Sequence, residues 1–231
     1  MKRKILISGV VLFCFFGNLP AQSIYPGQFE DKVIVKNTIS GKALNFDLKD
    51  VRLLDSPFKS NMERDGKWLL SITADQWSHA FRYNAGLRCF RRDELGGWEK
   101  LEVRGHSTAH ALSALALMYA STGDNAYKVK GDSIIAALAE VQQVLNQDGY
   151  LSAFPIHYME RNIDHQQVWA PWYVIHKILA GLVDMYLYTD NKQALEVATQ
   201  LGMWSYRTIA SVSDEQLDKI LIGENGAMPE V

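Results

Sequence analysis

The chain contains very little cysteine, with only Cys14 and Cys89 among its 231 residues. Cys14 lies in an N-terminal segment that we expect to be removed, which would leave Cys89 as the only cysteine of the mature chain. An internal disulfide and a cysteine-rich metal site built from this chain alone are therefore excluded. The net charge is also small, −2 at pH 7, with acidic and basic residues interspersed. This charge pattern argues against nucleic acid as the main partner.

The N-terminal apolar run, Ile5 to Phe16, is too short to span a bilayer comfortably. It follows three basic residues, Lys2 to Lys4, and precedes Leu19-Pro20-Ala21, which offers a small residue for cleavage before Gln22. This order of features is typical of a secretory signal peptide over residues 1–21. We therefore expect an exported protein, periplasmic or extracellular, with no retained membrane span; a retained membrane anchor is the alternative.

The rest of the sequence predicts an all-α fold after one short extended segment. Apolar residues alternate with period two in stretches of Val33 to Leu48, which predicts an N-terminal extended segment within residues 22–47. From residue 48 onward the spacing of apolar residues is helical. The predicted helices cover residues 57–70, 75–82, 106–120, 132–145, 172–188, 192–210 and 214–220.

An internal repeat indicates how these helices are arranged. Leu117-Met118-Tyr119 followed by a Thr-Gly-Asp-Asn turn recurs 67 positions later as Asp184-Met185-Tyr186 followed by Thr-Asp-Asn. Each copy reads as helix, short polar turn, helix, which predicts an array of helical hairpins. Because the loops between hairpins are long and carry Trp, His and Gly, a closed toroid with a functional mouth fits better than an open solenoid.

The length of the chain limits how much of such a toroid it can form. A ring of six hairpins needs about twelve helices and, with ordinary helices and loops, well over about 300 residues. We therefore expect residues 48–231 to form the N-terminal part of an (α/α)6 barrel and to be an incomplete catalytic domain. The last residues, Glu224 to Val231, read as a loop that leads into a further element.

One loop and the helix start that follows it form the strongest candidate site. Gly96-Gly97-Trp98-Glu99 leads through Arg104-Gly105 into His106 and His110 at the start of an apolar helix. Titratable and aromatic groups at the end of a buried helix are typical of binding or catalytic sites. Rings beside Gly, Pro or charge, as in Trp98, Trp169 and Trp172, suit the flat apolar faces of sugars, and capping of the core is the alternative.

Several sequence blocks resemble one enzyme family. In this order and spacing they are similar to the N-terminal part of the β-L-arabinofuranosidase-like glycoside hydrolases of families 127 and 146, formerly a domain of unknown function. The blocks span about 180 residues. They are Leu48–Phe58, Phe81–Leu87, Gly97–Glu99, Arg104–His106, His110–Ala114, Gly149–Leu151 and Trp172–Leu182.

The resemblance implies an exported enzyme with an (α/α)6 barrel that removes terminal β-L-arabinofuranose from plant glycans or glycoproteins with retention. In the family the nucleophile is a cysteine, bound to zinc with further cysteines and a glutamate in the second half of the barrel. Cys89 lies in a different block, so that role is not carried over to it. At the end of the chain, Gly226-Ala227-Met228-Pro229-Glu230 resembles the family's Gly-Gly-Met-x-Glu segment. We therefore predict no catalytic residue and no cofactor from this chain alone, with zinc implied only for a full-length parent. The full-length parent is expected to be the enzyme, and this fragment alone is expected to be inactive.

The resemblance also implies sugar contacts for particular residues. His106 and His176 correspond to sugar-contacting histidines, since a neutral imidazole can donate one hydrogen bond and accept another. Each could instead be a buried structural histidine. Trp98 and Glu99 complete the predicted substrate-binding set, although Glu99 could serve only to orient an arginine or a backbone amide. The spacing of His106 and His110 also occurs in metal sites, but the glutamate of the metalloprotease motif is missing, so a packing role for His110 is favoured.

Two other readings of the sequence remain open beside the glycoside hydrolase. A helical module could bind a glycan or a protein without cleaving it, and another carbohydrate enzyme could share the α/α toroid. The predicted partner is an oligo- or polysaccharide that contains L-arabinofuranose. The other histidines, His79, His157 and His165, stand in polar surroundings and are predicted to be solvated.

Overall fold

Helices provide the regular structure, and residues 46–224 contain no strand. The computed structural model describes these residues together with positions 29, 32, 43 and 228. The chain divides into two units, residues 1–46 and 47–231, and every element named below lies in the second. The predicted signal peptide and nearly all of the predicted extended segment fall outside the described residues. Leu48, the last position of that alternation, begins a 3₁₀ helix, because Asp47 caps it by accepting a hydrogen bond from Lys49 N.

The observed helices confirm the predicted all-α class and differ from the prediction in two places. The fourth helix begins at Asn125 rather than residue 132, and a short helix after residue 156 was not predicted. Short 3₁₀ helices cover Leu48–Asp50, Arg91–Asp93 and Gly97–Lys100. The α-helices are α1 Pro57–Ser71, α2 Ala74–Asn84, α3 His106–Thr122, α4 Asn125–Leu145, α5 His157–Ile163, α6 Pro171–Thr189, α7 Lys192–Ala210 and α8 Asp214–Gly223.

Most helix starts carry their own capping side chain. Ser56 accepts a hydrogen bond from Lys59 N at the start of α1, where Pro57 occupies the first turn. Thr73 before α2 and Ser213 before α8 each form a capping box with a glutamine three residues later. Helices α3, α5 and α6 are different, because the residues that precede them, Gly105, Ile156 and Ala170, make no side-chain cap.

The two copies of the sequence repeat form two helical hairpins, α3–α4 and α6–α7. Each turn contains a residue in the left-handed region, Gly123 with φ 74° in the first and Asp190 with φ 59° in the second. The next residue caps the second helix in both copies, since Asp124 accepts from Ala126 N and Asn191 from Ala194 N. Helical hairpins packed side by side are the unit of the predicted toroid, so the fold class is confirmed.

The core lies between the hairpins, where α3 packs against α6 along much of its length. Leu112, Ile175 and Leu182 are fully buried there. At Gly181 a side chain would meet the Ala109 carbonyl oxygen at 2.6 Å, so the glycine permits the two helix backbones to approach closely. No helix of the described residues is both long enough and apolar enough to cross a membrane.

Candidate functional site

Helix α3 begins at a glycine whose conformation and surroundings both require it. Gly105 has φ 99°, in the left-handed region, and a side chain there would meet Ala153 Cβ at 2.9 Å and Phe81 Cζ at 3.1 Å. Since glycine offers no capping oxygen, the first amides of the helix need an acceptor from elsewhere. The buried Glu99 carboxylate is that acceptor. Its Oε2 accepts from Gly105 N at 2.6 Å and its Oε1 from Ser107 N at 2.9 Å.

His106, the first residue of α3, is fixed through its Nδ1 atom. Nδ1 lies 3.0 Å from the Val103 carbonyl oxygen and 3.3 Å from Glu99 Oε1. Because a carbonyl oxygen only accepts, Nδ1 carries the proton when the ring is neutral. Nε2 is then the acceptor atom of the ring, and it lies 3.5 Å from Ser107 Oγ. The loop thereby sets both the orientation and the tautomer of His106.

Five rings meet at the N-terminal ends of α3 and α6, and we call Trp98, His106, His110, Trp169 and Tyr173 the aromatic face. The centroid of the Trp98 ring lies 5.6 Å from those of His106 and Trp169. Tyr173 lies 6.3 Å from His106 and 6.4 Å from His110, and its hydroxyl is 3.1 Å from His110 Nε2. Trp98 is 59% exposed and Trp169 is 45% exposed, so the face is open to a ligand.

Helix α6 is capped by a carboxylate from a distant part of the chain. Ala170 has φ 50° and gives no cap, and Pro171 has no amide hydrogen. Glu224 Oε2 accepts a hydrogen bond from Tyr173 N at 2.8 Å, whereas Glu224 Oε1 is buried and has no hydrogen-bond partner among the described residues. Burial raises the pKa of Glu224 above its ordinary value, although the nearby backbone amides of Tyr173 and Trp172 oppose the rise.

A third carboxylate holds the loop that carries Trp169. Glu102 Oε2 accepts from Trp169 N at 3.0 Å, and Glu102 Oε1 lies 3.6 Å from Arg161 Nη1. Because Trp169 has one edge-on contact, with the Trp98 ring, the Glu102 carboxylate helps to fix the position of an otherwise exposed ring. Backbone amides beside the aromatic face are thus hydrogen-bonded to three carboxylates, those of Glu99, Glu102 and Glu224.

The surroundings of His110 lower its pKa and so favour the neutral form of the ring. Burial lowers the pKa of His110, and the positive charge of Lys177 and the neighbouring His106 and His176 lower it further. A neutral imidazole beside the Tyr173 hydroxyl can donate or accept a hydrogen bond. The aromatic face therefore offers rings for apolar sugar faces and uncharged nitrogen and oxygen atoms for hydroxyl groups.

The structure brings three of the four predicted substrate-binding residues together. Trp98 and His106 belong to the aromatic face, and Glu99 lies directly behind it with hydrogen bonds to backbone amides. His176 is also near enough to influence the pKa of His110, but it is only 1% exposed. A sugar contact by Glu99 or His176 remains a prediction, because neither has a free surface at the face.

The structure also tests the expectations for Trp172 and for the three histidines that were predicted to be solvated. Trp172 is 2% exposed, packs on Trp204 and donates to Asn162 Oδ1, so it belongs to the core. His157 and His165 are exposed, as predicted. The prediction for His79 was wrong: it is 8% exposed, and it lines a cavity together with residues of the loop after α2.

Sequence reasoning missed two residues that matter for the face, Tyr173 and Glu224. Tyr173 lies within a block used for the family resemblance, but its proximity to His110 spans 63 positions of sequence. Glu224 is 51 positions from Tyr173, and its local sequence is that of a loop. The available signal was the absence of a capping residue before Pro171, which requires an acceptor from elsewhere.

The zinc ion implied by the resemblance does not fit the residues present. Among the described residues, no three His, Cys, Asp or Glu side chains are grouped closely enough to hold a metal ion. Cys89 is the only cysteine outside the N-terminal segment, and it is half-buried in the loop after α2. We therefore derive no step that passes through a metal.

Comparisons with known proteins identify the family. Residues 50–231 match the family model described as beta-L-arabinofuranosidase, GH127 catalytic domain. A search of curated proteins finds no match. The matched residues include the whole aromatic face and both hairpins, which is most of the chain. The chain therefore belongs to the GH127 β-L-arabinofuranosidase family of glycoside hydrolases.

Proposed function

We propose that this chain is part of an exported glycoside hydrolase that acts on terminal β-L-arabinofuranose of plant-type glycans, with retention of configuration, and that the aromatic face binds the sugar. The family supports a glycan substrate. Export is supported by residues 1–21, in which basic residues are followed by an apolar run and then by a small residue suited to cleavage. In this proposal Trp98 and His106 contact the sugar directly, and Glu99 and His176 complete the substrate-binding set.

The observation that carries the proposal is the open group of rings at the ends of α3 and α6. A furanose ring has a patch of C–H groups on one face and hydroxyl groups around its edge. The exposed Trp98 ring can pack on the C–H patch. His106 Nε2 and the His110–Tyr173 pair can hydrogen-bond to the hydroxyl groups. Because loop carboxylates fix these groups in advance, binding requires little ordering of side chains.

The residues described here bind and orient the sugar. Retaining hydrolysis requires a nucleophile and an acid on opposite faces of the bond. The three carboxylates that hold the aromatic face, Glu99, Glu102 and Glu224, accept hydrogen bonds from backbone amides, which is a positioning role. The proposal therefore assigns no catalytic residue to this chain. It leaves hydrolysis to be measured separately from binding.

Binding and hydrolysis are tested with one ligand series. Methyl β-L-arabinofuranoside is titrated into the chain while tryptophan fluorescence is followed, and an aryl β-L-arabinofuranoside tests for cleavage. We expect Trp98→Ala and His106→Ala each to weaken binding by about tenfold, since each removes a stacking or hydrogen-bonding contact. Phe58→Ala is the matched control, because Phe58 is an exposed ring on α1, 75% exposed, and belongs to no part of the face. Equal affinity in all four proteins would contradict the proposed sugar site.

The second candidate function is glycan binding without cleavage. It is favoured by one observation, that Glu99, Glu102 and Glu224, the carboxylates described beside the aromatic face, all accept hydrogen bonds from backbone amides. Saturable binding of the methyl arabinofuranoside together with no release of the aryl group would support this candidate for the 231-residue chain. Release of the aryl group that is lost in Trp98→Ala would support the hydrolase.

A further inference from the structure

A cavity lies beside α2, and none of the five rings of the aromatic face belongs to its lining. Its volume is about 600 Å³, which is within the range of small-molecule sites. Helix α2 contributes His79 and Tyr83 to the lining, and the loop that follows contributes Arg91 and Arg104. Glu99 is the only member of the predicted substrate-binding set that borders it.

The lining of this cavity includes one mostly buried histidine whose ring nitrogens are not fully enclosed by the protein. His79 is 8% exposed, and no residue of the described part of the chain hydrogen-bonds to its ring. Buried imidazole nitrogens are normally paired with protein groups or water. Both nitrogens of His79 are therefore available to a ligand hydroxyl or carboxylate that enters the cavity.

The carboxylates around the cavity have partners within the protein, whereas two of its arginines have no carboxylate partner among the described residues. Glu94 pairs with Lys100 at 3.4 Å, and Glu99 accepts hydrogen bonds from two backbone amides. Arg104 donates to the Leu101 carbonyl and lies 3.4 Å from a tyrosine hydroxyl. Neither Arg104 nor Arg91 has a carboxylate partner among the described residues. A guanidinium group prefers a planar anion such as a carboxylate, so the cavity favours an anionic ligand.

Aromatic surface accompanies these charges. Tyr83 is 69% exposed, and the buried Trp77 also lines the cavity. A wall that combines rings, an imidazole and guanidinium groups suits a ligand with C–H patches, hydroxyl groups and one carboxylate. The volume is also larger than an inorganic anion would need.

We propose that the cavity bounded by His79, Tyr83, Arg91 and Arg104 binds a carboxylate-bearing sugar unit, a uronate, as a second glycan site. The family's substrate class supports the choice of a sugar, so that part of the inference rests on the proposed function. The carboxylate accepts hydrogen bonds from the arginines, the hydroxyl groups pair with His79, and the sugar ring packs on Tyr83. An acidic unit of a glycan can then be held while a neutral unit occupies the aromatic face.

The test compares two ligands that differ at one carbon atom. Methyl α-D-galacturonoside and methyl α-D-galactoside are titrated into the 231-residue chain by NMR, with sodium sulfate as a third arm. We expect the galacturonoside to bind at least about tenfold more tightly than the galactoside, since charge-assisted hydrogen bonds contribute that much. Equal affinity for the two glycosides would overturn the proposal. Sulfate that binds as tightly as the galacturonoside would also overturn it, because the site would then recognise a free anion.

Two adjacent arginines give a matched pair of variants. Arg91→Gln removes a guanidinium from the cavity lining, whereas Arg92→Gln removes one that lies over the Phe90 ring, 5.0 Å from its centroid. We expect only the first to weaken galacturonoside binding, by about tenfold, with arabinofuranoside binding unchanged in both. An equal loss in the two variants would place the uronate elsewhere and overturn the proposal. Galacturonoside binding in a chain that does not bind the arabinofuranoside would support the cavity site and contradict only the proposed function.

Discussion

The middle of the α3–α6 pair is held by apolar packing, whereas its N-terminal end is held by hydrogen bonds between carboxylates and backbone amides. In the middle, the contact is apolar and close, with the Gly181 backbone against the Ala109 carbonyl and Leu112. At the end, the two helices lack capping residues of their own. Their first amides bond instead to Glu99 and Glu224.

The difference shows how a helix pair can be rigid and still offer a binding surface. Close packing in the middle fixes the distance between the helices, because an interior at crystal-like density cannot be deformed cheaply. The carboxylates at the end satisfy the helix amides without covering the rings of Trp98 and His110. Capping by Glu99 and Glu224 therefore leaves the rings at the two helix ends exposed. It also connects each helix end to another segment of the fold, which a cap from the preceding residue would not do.

The largest effect on stability is expected from a substitution in the middle of the α3–α6 contact. In Gly181→Ala the new methyl group would lie 2.6 Å from the Ala109 carbonyl oxygen, a backbone atom that cannot move alone. We predict a loss of about 3 kcal/mol in the free energy of unfolding, as for overpacked cores. Urea denaturation measures it. Gly202→Ala on α7 is the control, since nothing lies within 4 Å of its added carbon, and alanine there should stabilise the helix by up to about 1 kcal/mol. Similar losses in both variants would refute the close-approach argument.

The next largest effect is expected at the cap of α3. Glu99→Ala leaves the amides of Gly105 and Ser107 without their acceptor, and we predict a loss of about 2 kcal/mol of stability. Glu99→Gln retains one oxygen and should lose only about 1 kcal/mol. Both variants should also weaken arabinofuranoside binding, because the orientation of His106 depends on this loop. Unchanged stability in the alanine variant would show that Glu99 does not support the helix end.

A smaller effect, dependent on pH, is expected at Glu224. Burial raises its pKa in the folded protein above 4.5, so the folded state binds the proton more tightly than the unfolded state does. The stability of the wild type relative to Glu224→Gln should therefore increase as pH falls from neutral through the folded-state pKa. The increase should be complete below about 4.5, the unfolded-state value. Urea denaturation of both proteins across this range measures the difference, and an opposite slope would contradict the assignment.

The smallest effect is expected in the titration of His110. The Lys177 ammonium group is one of the causes that lower the pKa of His110, after burial. Lys177→Met should raise this pKa toward 6.5 without reaching it, because burial remains. NMR titration of the imidazole protons provides the measurement. Lys219→Met, which removes a lysine paired with Glu215 on α8, should leave the His110 pKa unchanged.

Much of the fold could be predicted from the sequence because its signals are local. Helix α7 has the predicted bounds, and α6 extends one residue beyond them at each end. The start of α4 was placed seven residues late, because the apolar stripe that predicts this helix begins only at Ile134. In the structure Gly131 is buried, where an added side chain would meet Met185. Helix α5 was missed because it is short and has no capping side chain.

The candidate site could be predicted only in part, because its contacts join distant segments. Trp98, Glu99 and His106 lie within nine consecutive residues, and the sequence identified all three. Tyr173 and Glu224 come from α6 and the end of α8, and only packing brings them to the same place. No local pattern distinguishes a carboxylate that meets a sugar from one that caps a helix. The position of Glu99 behind the rings therefore had to come from the structure.

The most direct test is an NMR titration of the six histidine rings with methyl β-L-arabinofuranoside. We predict that the imidazole signals of His106 and His110 shift together and saturate, because both rings belong to the aromatic face. The exposed His157 and His165 act as internal controls and should not shift. Signals of His106 and His110 that stay unchanged at saturating ligand would contradict the sugar site at the ends of α3 and α6.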